Sequence, residues 1–155
     1  MKLRPATEAD VPALESLLRR SWLSTWAPEL SFETVRKWAA EDWAGAYART
    51  QWADFLLADD NGKVLGMVHI DGNFIGALHV DHRHKRRGIG KVLMDEAERR
   101  IAAAGRDEAA LETNTFNTVA IAFYEGRGWT KRHVFMGTDN GEPIETVAMA
   151  KKLRG

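Results

Sequence analysis

The sequence contains no cysteine. Disulfides, thiolate metal sites and a cysteine nucleophile are therefore excluded, and any covalent chemistry would need another residue. It also lacks an excess of either charge. Lys+Arg and Asp+Glu both number 22, so the molecule as a whole has no bias toward nucleic acid or a membrane surface. No apolar run approaches the length needed to cross a bilayer, and no membrane association is expected. The opening residues, Met1-Lys2-Leu3-Arg4-Pro5, carry neither an apolar h-region nor a small-residue cleavage site. No secretory signal is expected, and the default location is the cytoplasm.

What is present points to one globular unit. At 155 residues, 45% hydrophobic and 28% charged, the chain can bury one substantial core and is too short for two ordinary domains. A single domain over 1–155 is expected. Lys2 to Ala6 reads as a strand, and Thr7 with Glu8 and Asp10 supplies a cap and an acidic first turn for a helix. Val11, Leu14, Leu17, Leu18 and Trp22 give that helix an apolar face, and Phe32, Val35, Trp38 and Ala39 repeat the spacing after Ser31. Trp22 and Trp38 read as core, whereas Trp26, beside the helix-stopping Pro28, lies in the connection.

The period then becomes strand-like. Phe55 to Ala58, Val64 to Ile70 and Phe74 to Val80, separated by Asp59-Asp60-Asn61-Gly62 and Asp71-Gly72-Asn73, predict an antiparallel meander. Ile89, Val92, Leu93, Ala97 and Ile101 predict an amphipathic helix ended by Gly105, with Glu98, Arg99, Arg100 and Arg106 facing solvent. Ala109 to Thr113 predicts a strand, Asn117 caps a short helix, and Trp129 to Phe135 with Pro143 to Ala150 predict a last hairpin across Thr138-Asp139-Asn140-Gly141. Strand, two helices, three strands, helix, strand, helix and two strands make an α/β sandwich on a mixed, largely antiparallel sheet.

The stretch Val80-Asp81-His82-Arg83-His84-Lys85-Arg86-Arg87-Gly88-Ile89-Gly90-Lys91 is the most informative. A loop leading into a helix N-terminus presents unpaired N–H groups at the positive end of the helix dipole, where an anion is stabilised. Gly88 and Gly90 allow close backbone approach, and Lys85, Arg86 and Arg87 add charge suited to a pyrophosphate. A dinucleotide fingerprint fails because position 93 is Leu93, and a P-loop fails because position 85 is Lys85 and Val92 follows Lys91. A nucleic-acid patch is the second reading of the five basic residues at 83–91. It ranks lower for want of interleaved aromatics, a recognisable RNA-binding signature or basic surplus elsewhere, so no nucleic-acid partner is expected. His82 and His84 have no third ligand placed by spacing, and no metal is expected.

Lys85-Arg86-Arg87-Gly88-Ile89-Gly90 resembles the Arg/Gln-x-x-Gly-x-Gly/Ala signature of the GNAT superfamily of N-acetyltransferases, with lysine where that family usually has Arg or Gln. Asn117 through Tyr124 and Gly128-Trp129 resemble its Asn-x-x-Ala-x-x-Phe-Tyr followed by Gly-Phe. With the element order, the resemblance spans nearly the whole chain and implies a three-layer GNAT-like sandwich. It implies acetyl-CoA as co-substrate and direct transfer of the acetyl group to a primary amine of a small molecule or protein, without an acyl-enzyme and without a metal. A homodimer is left open. Leu78, His79 and Val80 would then face the pantetheine arm, and Lys85, Arg86, Arg87, Gly88, Ile89 and Gly90 the pyrophosphate. Asn117 would cap its helix or bond the cofactor.

Acetyl transfer to an amine needs a base for the amine, donors for the oxyanion and an acid for the leaving thiolate. The resemblance implies Tyr124 as the acid. Glu112, five residues before Asn117 as in ribosomal-protein alanine acetyltransferases of the superfamily, is the leading base, with Asp71, His69 and His79 as alternatives. Trp26 is the expected acceptor-pocket residue. Two other readings stand beside this one: a non-catalytic acyl-CoA-binding module, and a nucleic-acid-binding domain using the basic loop.

Overall fold

The computed structural model describes residues 1–84, 86–139 and 141–153. Among them the chain forms, in order, β1 (Lys2–Pro5), α1 (Val11–Thr25), α2 (Phe32–Glu41), α3 (Trp43–Gln51), β2 (Phe55–Asp60), β3 (Lys63–Asp71), β4 (Phe74–Val80), α4 (Ile89–Ala103), β5 (Glu108–Asn114), α5 (Thr118–Gly126), β6 (Thr130–Asp139) and β7 (Glu142–Lys152). The seven strands lie in one sheet in the order β1-β2-β3-β4-β5-β7-β6. All neighbours are antiparallel except β4 and β5, which run parallel. The expected mixed sandwich is present: Leu14, Leu17, Trp38, Leu57 and Met67 pack on the face of α1–α3, and Leu65, Leu93, Ile101, Leu111 and Trp129 on the face of α4 and α5.

The structure corrects the helix count, because α3 follows α2 almost directly. Asp42 turns the chain with a left-handed φ of 51°, and Arg19 holds that turn by donating to Asp42 Oδ1 at 2.8 Å. The buried face of α3 is built from Ala44, Gly45 and Ala48, residues too small to register as an apolar stripe. The last hairpin also runs further than its apolar residues suggest, since β6 and β7 stay paired out to Asp139 and Glu142. Of the expected turn there, Asn140 lies outside the described residues.

Glu98 requires a second correction. It is 8% exposed rather than facing solvent, because it lies one turn after Met94 on the stripe that α4 buries. Its Oε2 accepts from Arg127 at 2.9 Å and from the Trp129 indole at 3.1 Å, and its Oε1 accepts from Lys151 at 2.5 Å. This carboxylate ties α4 to the end of α5 and to β7. At the other end of α4, a Cβ on Gly66 would lie 2.9 Å from the His79 carbonyl oxygen and 3.2 Å from Ile89 and Leu93. The glycine lets α4 seat tightly on β3, which fixes its N-terminus beside the end of β4.

The first turn forms as its sequence suggests. Thr7 and Asp10 make a capping box, and Arg4 reaches from β1 to Asp10 at 2.8 Å and to Asp59 at 2.7 Å. The Arg4 guanidinium, helped by the Thr7 N–H, holds the Asp10 carboxyl down to about 2, against an ordinary 3.8. The folded state therefore gains stability above pH 4 that is lost as pH falls toward 2, on the order of 1–2 kcal/mol. Asp10→Asn should be less stable than the parent at pH 7, with the gap closing between pH 4 and pH 2 in acid denaturation. A gap that stays constant over that range would contradict this account.

Candidate active site

The sheet is split at its centre. β4 and β5 share register only at Phe74↔Ala110 and Ile75↔Leu111. Beyond that point β4 pairs with β3 alone, and Glu112–Asn114 pair with β7 alone. The parting coincides with a bulge, since consecutive β3 residues His69 and Ile70 face Ala77 and Ile75 and leave Gly76 as the extra residue of β4. A Cβ on Gly76 would lie 2.7 Å from His69 Nδ1, so any larger residue there would have to push the His69 ring aside. The result is a cleft of about 340 Å³ flanked by main-chain edges that other strands leave unpaired.

Strand alternation sends different chemistry to the two faces of the cleft. Leu111 and its partner Met149 belong to the core under α4 and α5, so Glu112 and Asn114 project to the face of α1–α3. There Trp26 donates its indole N–H to Asn114 Oδ1 at 2.6 Å, and Asn114 donates to Thr146 Oγ1 at 3.2 Å. His79 stands beside Trp26 at 5.7 Å between ring centroids, with its Nδ1 2.6 Å from Ser21 Oγ of α1. Desolvation pushes this imidazole down to about 4, so it is neutral at pH 7. Glu112 makes no hydrogen bond or ion pair among the described residues.

Tyr124 enters the cleft from the face of α5. It is 8% exposed, packed between Phe123 and Trp129 at centroid distances of 5.4 and 6.0 Å. Burial pushes its phenol up to about 12, so it keeps its proton across the physiological range. Asn117 accepts from the Ala120 N–H at 3.3 Å, capping α5 at the cleft wall.

The loop after β4 is organised by Asp81, which is 2% exposed. It accepts from the Arg83 backbone at 3.0 Å, from the Arg83 guanidinium at 2.7 Å and from Arg20 at 3.3 Å, and these donors hold it well below the usual carboxylate range. Arg83 is thus neutralised, as is Lys91 by Asp95 at 3.0 Å. Arg86 adopts a left-handed φ of 68°, and Gly88 caps α4 with a φ of 74° and no side chain to occupy the helix N-terminus. Arg87 donates to His84 Nδ1 at 2.9 Å. Arg86 and Arg87 stay exposed beside the first turn of α4, while Lys85 lies outside the described residues.

A sequence model of the acetyltransferase (GNAT) family matches residues 11–129. The chain belongs to that family. Among curated proteins it is 38% identical over 72 residues to the peptidyl-lysine N-acetyltransferase YiaC of Escherichia coli, a match covering 46% of each chain. The chain thus spans about half the length of that relative. Among solved structures it superposes on a GCN5-related N-acetyltransferase from Rhodopseudomonas palustris with a TM-score of 0.83, at 23% identity and coverage of 97% and 94% of the two chains. It superposes on the PaiA N-acetyltransferase from Thermoplasma acidophilum, solved in complex with coenzyme A, with a TM-score of 0.77 at 24% identity, covering 97% and 98%. Both likenesses are of fold.

Within this GNAT sheet, Leu78, His79, Glu112, Asn117, Tyr124 and Trp26 all line the one cleft. Val80, Arg86, Arg87, Gly88, Ile89 and Gly90 lie at or beyond the end of β4. Of the alternative bases, His79 lines the cleft. Asp71 sits at the far end of β3, and His69 lies behind the cleft wall with its Nδ1 2.5 Å from the Tyr47 hydroxyl. Trp22 and Trp38 stack at 4.1 Å, with Trp38 in the core as expected. Ser21, Asp81 and Asn114 went unnoticed in the sequence. Asn114 alone had a signal, since it stands two residues from Glu112 on one strand and must share its face. Among the described residues no group of three His, Asp or Glu could hold a metal ion, and no helix is long and apolar enough to cross a membrane.

Proposed function

We propose that this GNAT protein transfers the acetyl group of acetyl-CoA to a primary amine of a small molecule or protein, acting in the cytoplasm. The observation that carries the reading is the cleft itself, which opens between β4 and β5, on a chain that runs from the end of β4 into the N-terminus of α4. The unpaired edge of β4 suits the amide groups of a pantetheine arm, and the first turn beyond Gly88, which no side chain caps, with Arg86 and Arg87 beside it, suits a pyrophosphate.

Acetyl-CoA brings an activated thioester. In the proposed reaction the C–S bond breaks as a C–N bond forms. Glu112, directly or through water, takes the proton that the attacking nitrogen must lose. Tyr124 supplies a proton to the departing sulfur, and main-chain N–H groups on the open edge of β4 stabilise the developing oxyanion. His79, neutral and held by Ser21, stays on the acceptor side of the cleft wall.

The test is calorimetric binding of acetyl-CoA to the parent protein and to Gly90→Asp. A Cβ at position 90 meets only ordinary contacts, 3.6 Å from Phe123 and 3.8 Å from Val80, and an acidic residue in a helix first turn favours folding. The variant should fold normally and bind acetyl-CoA on the order of 100-fold or more weakly, because its carboxylate would oppose the pyrophosphate. Gly88→Asp is the poorer probe, since the φ of 74° there strains any side chain. No binding by the parent protein, or full affinity in the folded variant, would sink the proposal.

A further inference from the structure

The acceptor side of the cleft has an unbalanced charge. Glu112 is exposed there with no partner among the described residues, and none of the described residues lining the cleft is a lysine or arginine. The other wall groups are neutral: the Trp26 indole, fixed by Asn114, the His79 imidazole, the ring of Phe135 and the hydroxyl of Thr138. Past Thr138 the hairpin tip carries Asp139, which accepts from the Trp22 indole at 3.3 Å, and Glu142, which accepts from Thr34 at 2.9 Å. Lys37 stands out at that tip beside Gly141, away from the lining residues.

A free carboxylate beside a fixed indole face is an arrangement that attracts an ammonium group, by Coulomb attraction and by the ring quadrupole. The same arrangement repels an anion. Any carboxylate bonded next to the reacting nitrogen would be carried in close to Glu112, with no cation among the described lining residues to offset it. We infer that the acceptor is a primary amine on an uncharged carbon arm, with no carboxylate or phosphate beside the nitrogen. This chemistry is shared by the lysine side chain of a protein and a free polyamine, and is absent from a free α-amino acid. The inference rests on the acetyl-transfer reading and adds which amines the cleft admits.

Matched pairs test it. Thiol release from acetyl-CoA is followed with alaninamide against alanine and with glutamine amide against glutamine, each pair differing only at the carboxylate beside the amine. Nα-acetyllysine amide and cadaverine form two further arms that separate a protein-like source from a polyamine. Each amide should exceed its acid in kcat/KM by about tenfold or more, as expected for one uncompensated charge opposition in a partly solvated cleft. The better of the two alkylamine arms should exceed both free acids in kcat/KM. The same compounds are titrated into the CoA-saturated protein by calorimetry, so that slow chemistry does not hide binding. Trp26→Ala should raise KM for the better alkylamine at least several-fold, with acetyl-CoA affinity unchanged, while Trp26→Phe keeps most of the ring and loses less. Alanine or glutamine turned over or bound as well as its amide, or no amine bound at all, would overturn the inference. Loss of acetyl-CoA binding by the parent protein would instead overturn the acetyl-transfer reading beneath it.

Discussion

Tyr124→Phe is expected to lower kcat by about 10²–10⁴-fold, the range typical of a general acid–base group, while leaving the acetyl-CoA dissociation constant unchanged. The substitution removes one hydroxyl from a side chain whose ring is already held by Phe123 and Trp129, so packing should survive. The phenol, pushed up to about 12 by burial, remains a proton donor at every pH where the protein would work. The effect should therefore appear as a drop in kcat at saturating amine rather than as a moved pH optimum. An unchanged kcat, under conditions where chemistry is shown to limit turnover, would return Tyr124 to the core.

Glu98→Ala is expected to cost about 3–5 kcal/mol of folding stability, because it leaves several donors without their acceptor. Arg127 and Lys151 would lose a nearly buried counter-charge, and the N–H of Trp129, a residue only 2% exposed, would lose its hydrogen bond. For a chain of this size, a loss of that order lowers Tm by roughly 10 °C. Glu98→Gln keeps the shape and one acceptor and should cost less. Urea denaturation monitored by Trp fluorescence and far-UV dichroism measures both, and a loss below about 1 kcal/mol for the alanine variant would show that the network is replaceable.

Glu98 also shows what the sequence could not display. Its charge suggested solvent, yet its spacing from Met94 and Ile101 puts it on the buried stripe, and only the distant Arg127, Trp129 and Lys151 make that position tolerable. Periodicity carried by large side chains was readable: α1, α4 and the β2–β4 meander stand where their leucines, isoleucines and valines place them. The alanine and glycine face of α3 was silent because small residues give little contrast. The site was legible where a local motif carried it, at Gly88 to Gly90 and at Asn117 to Tyr124. It was not legible where the cleft wall depends on pairs far apart in the chain, such as Trp26 with Asn114 and Ser21 with His79.

The split between β4 and β5 has a mechanical side. The two half-sheets are joined at Phe74, Ile75, Ala110 and Leu111 and diverge from there, like a wedge closed at its apex. Val80 lies five residues past Ile75, about 16 Å along the strand. A rotation of roughly 5° at the apex would then shift the mouth by about 1.4 Å, well beyond the roughly 0.5 Å range over which N–H···O distances vary. Ile75 and Leu111 are 3% and 2% exposed and need touch no reacting atom. A change of volume there would nonetheless act at the apex of the wedge, so packing at one end would bear on the width available to a ligand at the other.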